Sequence, residues 1–369
     1  QFRSARGAGR SIHGFRSVST AAEALSTHHA DEDTTLAVMN HIGGESVMAM
    51  GGAVIPLIDA TTGAVRGNVA ASDATDVDAA VAAASRAVRE GPWARTSPSE
   101  RASVLERAAD LLEDELSAFA EAESRDTGKP LRLATVLDVP RAVANLRTFA
   151  RLVVHGDLDA VRHGGGASRG NGLDDALNYT TRKPIGVVGM VTPWNLPLYL
   201  LTWKLAPALA MGNAIVAKPS ELTPTTATML ASVLERAGLP PGVFNVLHGS
   251  GGSAGAALCS HPDVGALSFT GGTATGAAVA AAVAPRFAKL SLELGGKNAL
   301  IVLADLNNFD ETVDGAVQRS ESSPGGSLSA PEGVFRIRVE GDEAPRVLFE
   351  AGIRDSLWKQ RRIALHRAP

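Results

Sequence analysis

The run G-V-V-G-M-V-T-P-W-N-L-P, residues 186–197, begins the alternation of strands and helices that decides the fold. Its apolar part predicts a buried strand over 185–192. The predicted elements that follow are a helix over 198–211 closed by Gly212, a strand over 214–217, a helix capped by Thr223-Pro224 and running to Gly238, strands over 243–247 and 264–269, and a helix around 253–259. This rhythm predicts an α/β fold, a doubly wound parallel sheet with helices on both faces that binds ligands beyond the carboxyl ends of its strands.

The first half of the chain predicts shorter elements. Apolar pieces broken by glycine pairs predict hairpin strands over 36–69. The predicted helices cover 76–90, the stretch from the capping box Ser97-Pro98-Ser99-Glu100 to Phe119, and 133–151. The Glu and Arg residues of the second helix are expected to form a solvated face. A strand arm with a flexible glycine loop over 164–172 is expected near 153–182.

Three motifs follow predicted strands directly: Pro193-Trp194-Asn195, Lys218-Pro219-Ser220-Glu221, and the glycine-rich run 270–276. An ammonium and a carboxylate three residues apart can bracket ribose hydroxyls, and a glycine turn that opens a helix offers N–H groups to a pyrophosphate. Together they predict a dinucleotide site. Taken singly, the asparagine could cap a turn, the lysine and glutamate could be a surface pair, and the glycines could be only a loop.

A fourth motif is Leu292-Glu293-Leu294-Gly295-Gly296-Lys297-Asn298. A carboxylate in an apolar run, beside glycines that allow close approach, can serve as a general base whose pKa burial has raised. The alternative is that Glu293 ends a strand and the glycines make the turn.

Composition limits the kinds of partner. With 45% hydrophobic residues, the 369-residue chain can bury one large core or two ordinary ones, and two are favoured. The formal net charge of -4 gives no strong field for nucleic acid or an anionic membrane, which favours small-molecule chemistry. No apolar run approaches the length of a bilayer span, which predicts a soluble protein. The single cysteine, Cys259, excludes an internal disulfide and a cysteine-based metal cluster, and no metal site is predicted.

In combination, the motifs resemble those of the aldehyde dehydrogenase superfamily. The matching segments are G-V-V-G-M-V-T-P-W-N-L-P (186–197), W-K-L-A-P-A-L-A-M-G-N (203–213), K-P-S-E-L-T-P (218–224), G-L-P-P-G-V-F-N-V-L-H-G (238–249), S-F-T-G-G-T-A-T-G (268–276) and L-E-L-G-G-K-N (292–298). The resemblance covers roughly residues 40 to 319, and so many motifs in order make chance negligible. The run P-W-N-L-P-L-Y-L-L-T-W-K (193–204) looks closest to the branch that oxidises muconic semialdehydes.

The resemblance implies NAD-dependent oxidation of an aldehyde to a carboxylic acid, begun by a cysteine thiolate that attacks the aldehyde. Asn195 would hold the oxyanion and Glu293 would activate the water that hydrolyses the thioester. Lys204 would assist proton movement, unless it is a plain surface lysine. Lys218 and Glu221 would hold the adenosine ribose, where a carboxylate favours NAD over NADP. The other residues that the resemblance places near the cofactor are Thr192, Pro193, Trp194, Ser220, Gly271, Gly272, Thr273 and Leu294.

The resemblance stops after a predicted helix over 310–317. The family's nucleophile belongs to a segment of type N-x-G-Q-x-C, whereas this chain continues Gln318-Arg319-Ser320-Glu321 and no cysteine follows. Cys259 is expected to be structural, and a thiolate paired with His261 is the alternative. Two functions therefore stay open: an NAD-dependent aldehyde dehydrogenase, and a catalytically inactive NAD-binding pseudoenzyme or fragment.

The expected domains are an NAD-binding domain over 36–293, the start of an incomplete catalytic domain over 294–318, and a non-family tail over 319–369. The tail fits an aberrant reading frame or splice product, and a DNA-binding tail is the alternative. The arginine-rich residues 1–35 are expected to form a disordered or transit-like extension, so the expected location is cytoplasmic, or mitochondrial if 1–30 are a transit segment. A homo-oligomer is expected for the family, although this chain lacks the family's final oligomerisation strand.

Overall fold

The computed structural model describes residues 36–155, 160–164 and 175–296, without the side chains of 160–164 and 175–178. The expected extension 1–35, most of the glycine loop, the helix over 310–317, nearly all of the catalytic-domain start and the tail lie outside the described residues.

The described strands are β1 (Leu36–Val38), β2 (Asn40–Ile42), β3 (Glu45–Val47), β4 (Val54–Ile58), β5 (Val65–Ala70), β6 (Ala160–Gly164), β7 (Asp175–Tyr179), β8 (Val187–Val191), β9 (Ala214–Lys218), β10 (Phe244–Val246), β11 (Val264–Thr270) and β12 (Lys289–Glu293). The helices are α1 (Ala74–Arg89), α2 (Pro98–Asp114), α3 (Leu116–Thr127), α4 (Val139–Val154), α5 (Pro197–Ala210), α6 (Thr225–Arg236), α7 (Ala256–Ser260) and α8 (Thr273–Val283). Short π-helical turns, Ala134–Asp138 and Gly251–Gly255, lead into α4 and α7.

The main sheet has seven strands in the order β12-β11-β8-β9-β10-β2-β3. The first five are parallel, and the βαβ rhythm predicts four of these, β8 to β11. The predicted parallel sheet is confirmed, and the structure adds two strands at one edge: β2 pairs antiparallel with β10, and its hairpin partner β3 lies beyond it. A separate sheet has the order β1-β5-β4, in which β1 and β5 are parallel and not a hairpin. The antiparallel pair β6 and β7 forms the arm expected near 153–182.

Helices cover both faces of the main sheet, as predicted. Alternate strand residues point to opposite faces, so that Val187 packs on one side of β8 while Val188 and Met190 pack on the other. The face with Met190 carries α2 to α6, and the face with Val187 carries α1, α7 and α8. Within the described residues, none of the helices combines the length and the apolar character that a membrane span requires.

The predicted helix from Ser97 to Phe119 is two helices. Its capping box is confirmed: Ser97 Oγ accepts from the Glu100 N–H at 3.2 Å, and Glu100 Oε2 accepts from the Ser97 N–H at 2.6 Å. The helix ends at Asp114 because the Glu115 backbone (φ -97, ψ 16) leaves the helical region, and α3 starts directly after it and buries Phe119. The solvated-face expectation is also wrong for Arg101 and Arg107, which hydrogen-bond to carbonyls of other elements.

Candidate active site

The predicted motifs meet at one edge of the sheet. β12, β11, β8 and β9 are neighbours and parallel, so their carboxyl ends lie side by side. In the register, Val191 pairs with both Lys218 and Phe269, and Thr270 pairs with Glu293. The residues that follow these strands therefore surround a common space at this edge.

Lys218 is held firmly at the end of β9. Its side chain is buried, with 2% of the residue exposed, and Nζ donates to Glu221 Oε2 at 3.0 Å and to the Gly249 carbonyl at 2.7 Å. Ser220 lies between them, and its hydroxyl accepts from the Leu222 N–H at 3.3 Å. The alternative interpretation, in which Lys218 and Glu221 form a surface ion pair, is therefore wrong for Lys218, which is buried. The Glu221 carboxylate is oriented by a buried ammonium and stays about one-third exposed, which suits it to accept from hydroxyl groups.

Unpartnered polar atoms gather beside β8. Within the described residues, Thr192 Oγ1, Asn195 Oδ1 and Thr270 Oγ1 are buried without a hydrogen-bond partner. Buried polar groups usually have partners, so such a group at a sheet edge fits a ligand-binding surface. The turn-cap alternative for Asn195 is wrong, because its Oδ1 accepts no hydrogen bond there. Pro193 is half-buried and Trp194 is exposed beside them.

The glycine-rich turn after β11 opens α8, as predicted. Gly272 is the N-cap residue, and no side chain caps this helix. Gly271 donates its N–H to the Glu293 carbonyl at 3.0 Å, and a Cβ at Gly271 would lie 2.5 Å from the Phe269 ring. Leu294 packs against the same turn, where a Cβ at Gly276 would lie 2.3 Å from it. Gly272 and Thr273 are exposed at this helix start, and the free N–H groups of a helix start can bind an anion.

Lys204 and Glu293 have burial opposite to that expected. Glu293 is exposed at the end of β12. Among the described residues, β12 is an edge strand with only β11 beside it, so the predicted burial of this carboxylate is wrong for that part of the chain. Lys204 lies inside α5 with 8% exposed, and its Nζ donates to Ser268 Oγ at 2.9 Å. Burial lowers the pKa of Lys204, and the charge of Glu293 acts against that shift. The surface alternative for Lys204 is wrong.

Cys259 is buried on α7 within the apolar core. Burial raises the pKa of its thiol, and the cations of Arg286 and Lys218 only partly oppose this. His261 Nε2 faces Asp78 Oδ1 at 3.3 Å, and its Nδ1 accepts from the Asp263 N–H at 3.1 Å. These contacts agree with a structural cysteine rather than a Cys259–His261 pair.

An aromatic group on α5 lies outside the residues singled out from sequence. The Arg141 guanidinium stands 3.8 Å from the Tyr199 ring centroid, Tyr199 stacks on Trp203 at 6.3 Å, and Phe149 meets Trp203 edge-on at 5.6 Å. Tyr199 and Trp203 are four residues apart, which places them on one face of the helix, so the sequence could have predicted their contact. Arg141 and Phe149 come from α4, which no local pattern connects to α5.

Comparison with known proteins agrees with the predicted resemblance. The model of the aldehyde dehydrogenase family matches residues 47–335, which extends beyond the boundary expected at 318. The chain is 46% identical over 326 residues to the 2-aminomuconic semialdehyde dehydrogenase of Danio rerio, covering 88% of this chain and 63% of that protein. It is 44% identical over 304 residues to the 2-hydroxymuconic semialdehyde dehydrogenase of Pseudomonas sp. (strain CF600), covering 82% and 60%. The predicted resemblance to this branch is confirmed.

A solved structure shares the fold. The NAD+ complex of aldehyde dehydrogenase from Bacillus cereus superposes with a TM-score of 0.75 at 36% identity, covering 82% of this chain and 59% of that one. The chain thus spans about three-fifths of the length of these proteins. The family match and these identities show that the chain belongs to the aldehyde dehydrogenase family.

Proposed function

We propose that this chain serves NAD-dependent oxidation of an aldehyde to a carboxylic acid, with 36–293 as its NAD-binding domain. One observation carries the proposal: the buried Lys218 with its oriented Glu221, the uncapped start of α8 and the Asn195 side chain with its unpartnered Oδ1 all lie at one sheet edge. The similar enzyme from Bacillus cereus is an NAD+ complex, which supports the choice of cofactor.

Each residue has a role that its surroundings allow. Glu221 and Lys218 would bind ribose hydroxyls, and the carboxylate would repel the 2′-phosphate of NADP. The N–H groups at Gly272 and Thr273 would bind the pyrophosphate. NAD, when bound, supplies the hydride acceptor. The Asn195 side-chain N–H would donate to the oxyanion that forms from the aldehyde, and the exposed Glu293 would take a proton from the hydrolytic water. Lys204, whose Nζ donates to Ser268 Oγ, would assist proton movement.

The aldehyde proposed is an acidic one of the muconic semialdehyde class. The similar enzymes from Danio rerio and Pseudomonas act on muconic semialdehydes, which carry a carboxylate. Arg141 beside Tyr199 and Trp203 places a cation against an aromatic surface on the helix that follows Asn195. Such a surface suits a flat conjugated acid.

A second candidate is NAD binding without turnover. It is favoured by the position of the chain's single cysteine, which is buried on α7 with a raised thiol pKa. A neutral thiol inside an apolar core is a poor nucleophile.

Aldehyde-dependent NADH formation separates the candidates, measured on the full chain together with the variants Glu293→Gln and Cys259→Ala. Binding of NAD with only background turnover supports the second candidate. Turnover that Glu293→Gln abolishes and Cys259→Ala preserves supports the first, with a nucleophile other than Cys259. Loss in both variants would identify Cys259 as the nucleophile. Failure of the folded chain to bind NAD contradicts both candidates.

A further inference from the structure

The two helices that follow the cofactor loops lack caps of their own. α5 begins two residues after Asn195 with Leu196 as its N-cap, and α6 begins four residues after Glu221 with Pro224 as its N-cap. Neither N-cap residue has a side chain that accepts a hydrogen bond from the helix. The expectation that Thr223-Pro224 caps α6 by itself is therefore wrong.

Two buried carboxylates of α3 make these contacts instead. Glu123 Oε1 accepts from the Leu198 N–H in the first turn of α5 at 3.3 Å, and its Oε2 accepts from the Thr226 hydroxyl of α6 at 2.9 Å. Asp126 Oδ2 accepts from the N–H of Thr225, the first residue of α6, at 2.9 Å. Each carboxylate thus satisfies a free N–H at a helix start and places negative charge where the helix dipole favours it.

The other ends of α5 and α6 are held by α2. Arg101 Nε donates to the carbonyl of Ala210, the last residue of α5, at 2.7 Å. Arg107 Nε donates to the carbonyl of Ala237, the C-cap of α6, at 2.8 Å. Anions at the helix starts and cations at the helix ends match both dipoles, so α2 and α3 together fix the position of α5 and α6.

The charges around Glu123 come from several elements. Lys129, which follows α3, attracts its carboxylate and is paired with Asp138 of the π-helical turn. Asp126 of α3 pairs with Arg66 of β5. Burial outweighs the Lys129 attraction and raises the pKa of Glu123 to about 7.

We propose that Glu123 and Asp126 are positioning residues. They set the Asn195 loop (192–196) and the Lys218–Glu221 loop (218–224) in their cofactor-binding geometry. They act through the first turns of α5 and α6 and touch neither loop directly. Without them, fewer molecules hold both loops in the binding geometry, and the apparent affinity for NAD falls by that fraction. The inference rests on the proposed function.

The first test measures NAD affinity by calorimetry on Glu123→Ala, Asp126→Ala and the conservative variants Glu123→Gln and Asp126→Asn. Loss of a cap predicts binding about fivefold weaker in each alanine variant, with only part of the affinity restored in Glu123→Gln, whose amide oxygen still accepts a hydrogen bond but which carries no charge. Glu121→Ala, on the exposed face of α3, is the matched control and should bind NAD like the wild type. Equal affinity in all variants, while the wild type binds NAD, overturns this inference alone; no binding by the folded wild type contradicts the proposed function.

The second test uses a pH profile, which a merely structural residue would not shift. An ionised Glu123 accepts both hydrogen bonds and supplies charge, whereas the protonated form supplies no charge. NAD affinity of the wild type should therefore fall as the pH is lowered through about 7, and the profile of Glu123→Gln should be flat there. This comparison also decides the matter if the alanine variants do not fold. Identical profiles for wild type and Glu123→Gln overturn the proposal.

Discussion

At the scale of single residues, burial separates the charged side chains near the sheet edge into two groups. Lys204 and Lys218 are buried beside Ser268 and Gly249, residues far along the chain, whereas Glu293 is exposed in spite of its apolar neighbours. A local sequence pattern can identify such residues as candidates for binding or proton transfer. Only the packing of distant segments shows which of them are desolvated.

Glu123 gives a pH-dependent prediction at this scale. Its pKa of about 7 in the folded protein lies above the usual 4.5, so the folded state binds the proton more tightly than the unfolded state. Protonated Glu123 therefore stabilises the folded state at low pH. This contribution to the free energy of unfolding, roughly 3 kcal/mol, is lost as the pH rises from about 4.5 to about 7. Glu123→Gln should lack this loss.

Urea denaturation of both proteins across that range measures the effect as their difference at each pH. The difference is needed because burial lowers the pKa of His248 to about 3, which makes stability rise with pH in an overlapping window. A difference that stays constant between about pH 4.5 and 8 would contradict this account of Glu123.

At the scale of elements, local caps were predictable and distant caps were not. The capping box of α2 lies within four residues, so its sequence predicted the helix start correctly. The caps of α5 and α6 come from Glu123 and Asp126, 75 and 99 residues away along the chain. The sequence does not predict the break between α2 and α3 at Glu115, because the apolar stripe continues across it.

The α2 cap provides a prediction for this scale. Ser97→Ala removes the hydroxyl that accepts from the first turn and should lower the free energy of unfolding by about 1 kcal/mol. Ser99→Ala, two residues further into the same helix and also exposed, is the control and should change stability far less. Thermal denaturation of both variants is the measurement; equal losses would show that the Ser97 hydroxyl does not stabilise the helix start.

At the scale of the whole molecule, the sequence predicts four of the five parallel strands, β8 to β11, because each of these strands and each helix between them has its own local signal. The addition of β2 and β3 to that sheet was not predictable, because it depends on the pairing of Val246 with His41 across the chain. The strand-end motifs were brought together as expected, since parallel neighbours place their carboxyl ends at one edge.

We propose that this edge of the sheet binds NAD through Lys218 and Glu221. Calorimetric titration of NAD and NADP into the full chain, the Lys218→Ala variant and a Lys183→Ala control tests it most directly. Lys183 is exposed before the amino end of β8, at the opposite edge of the sheet. We predict that NAD binds, that NADP binds at least about tenfold more weakly because Glu221 repels its 2′-phosphate, and that only Lys218→Ala weakens NAD binding. Absence of binding by the folded chain, or equal NAD affinity in wild type and Lys218→Ala, would contradict the account.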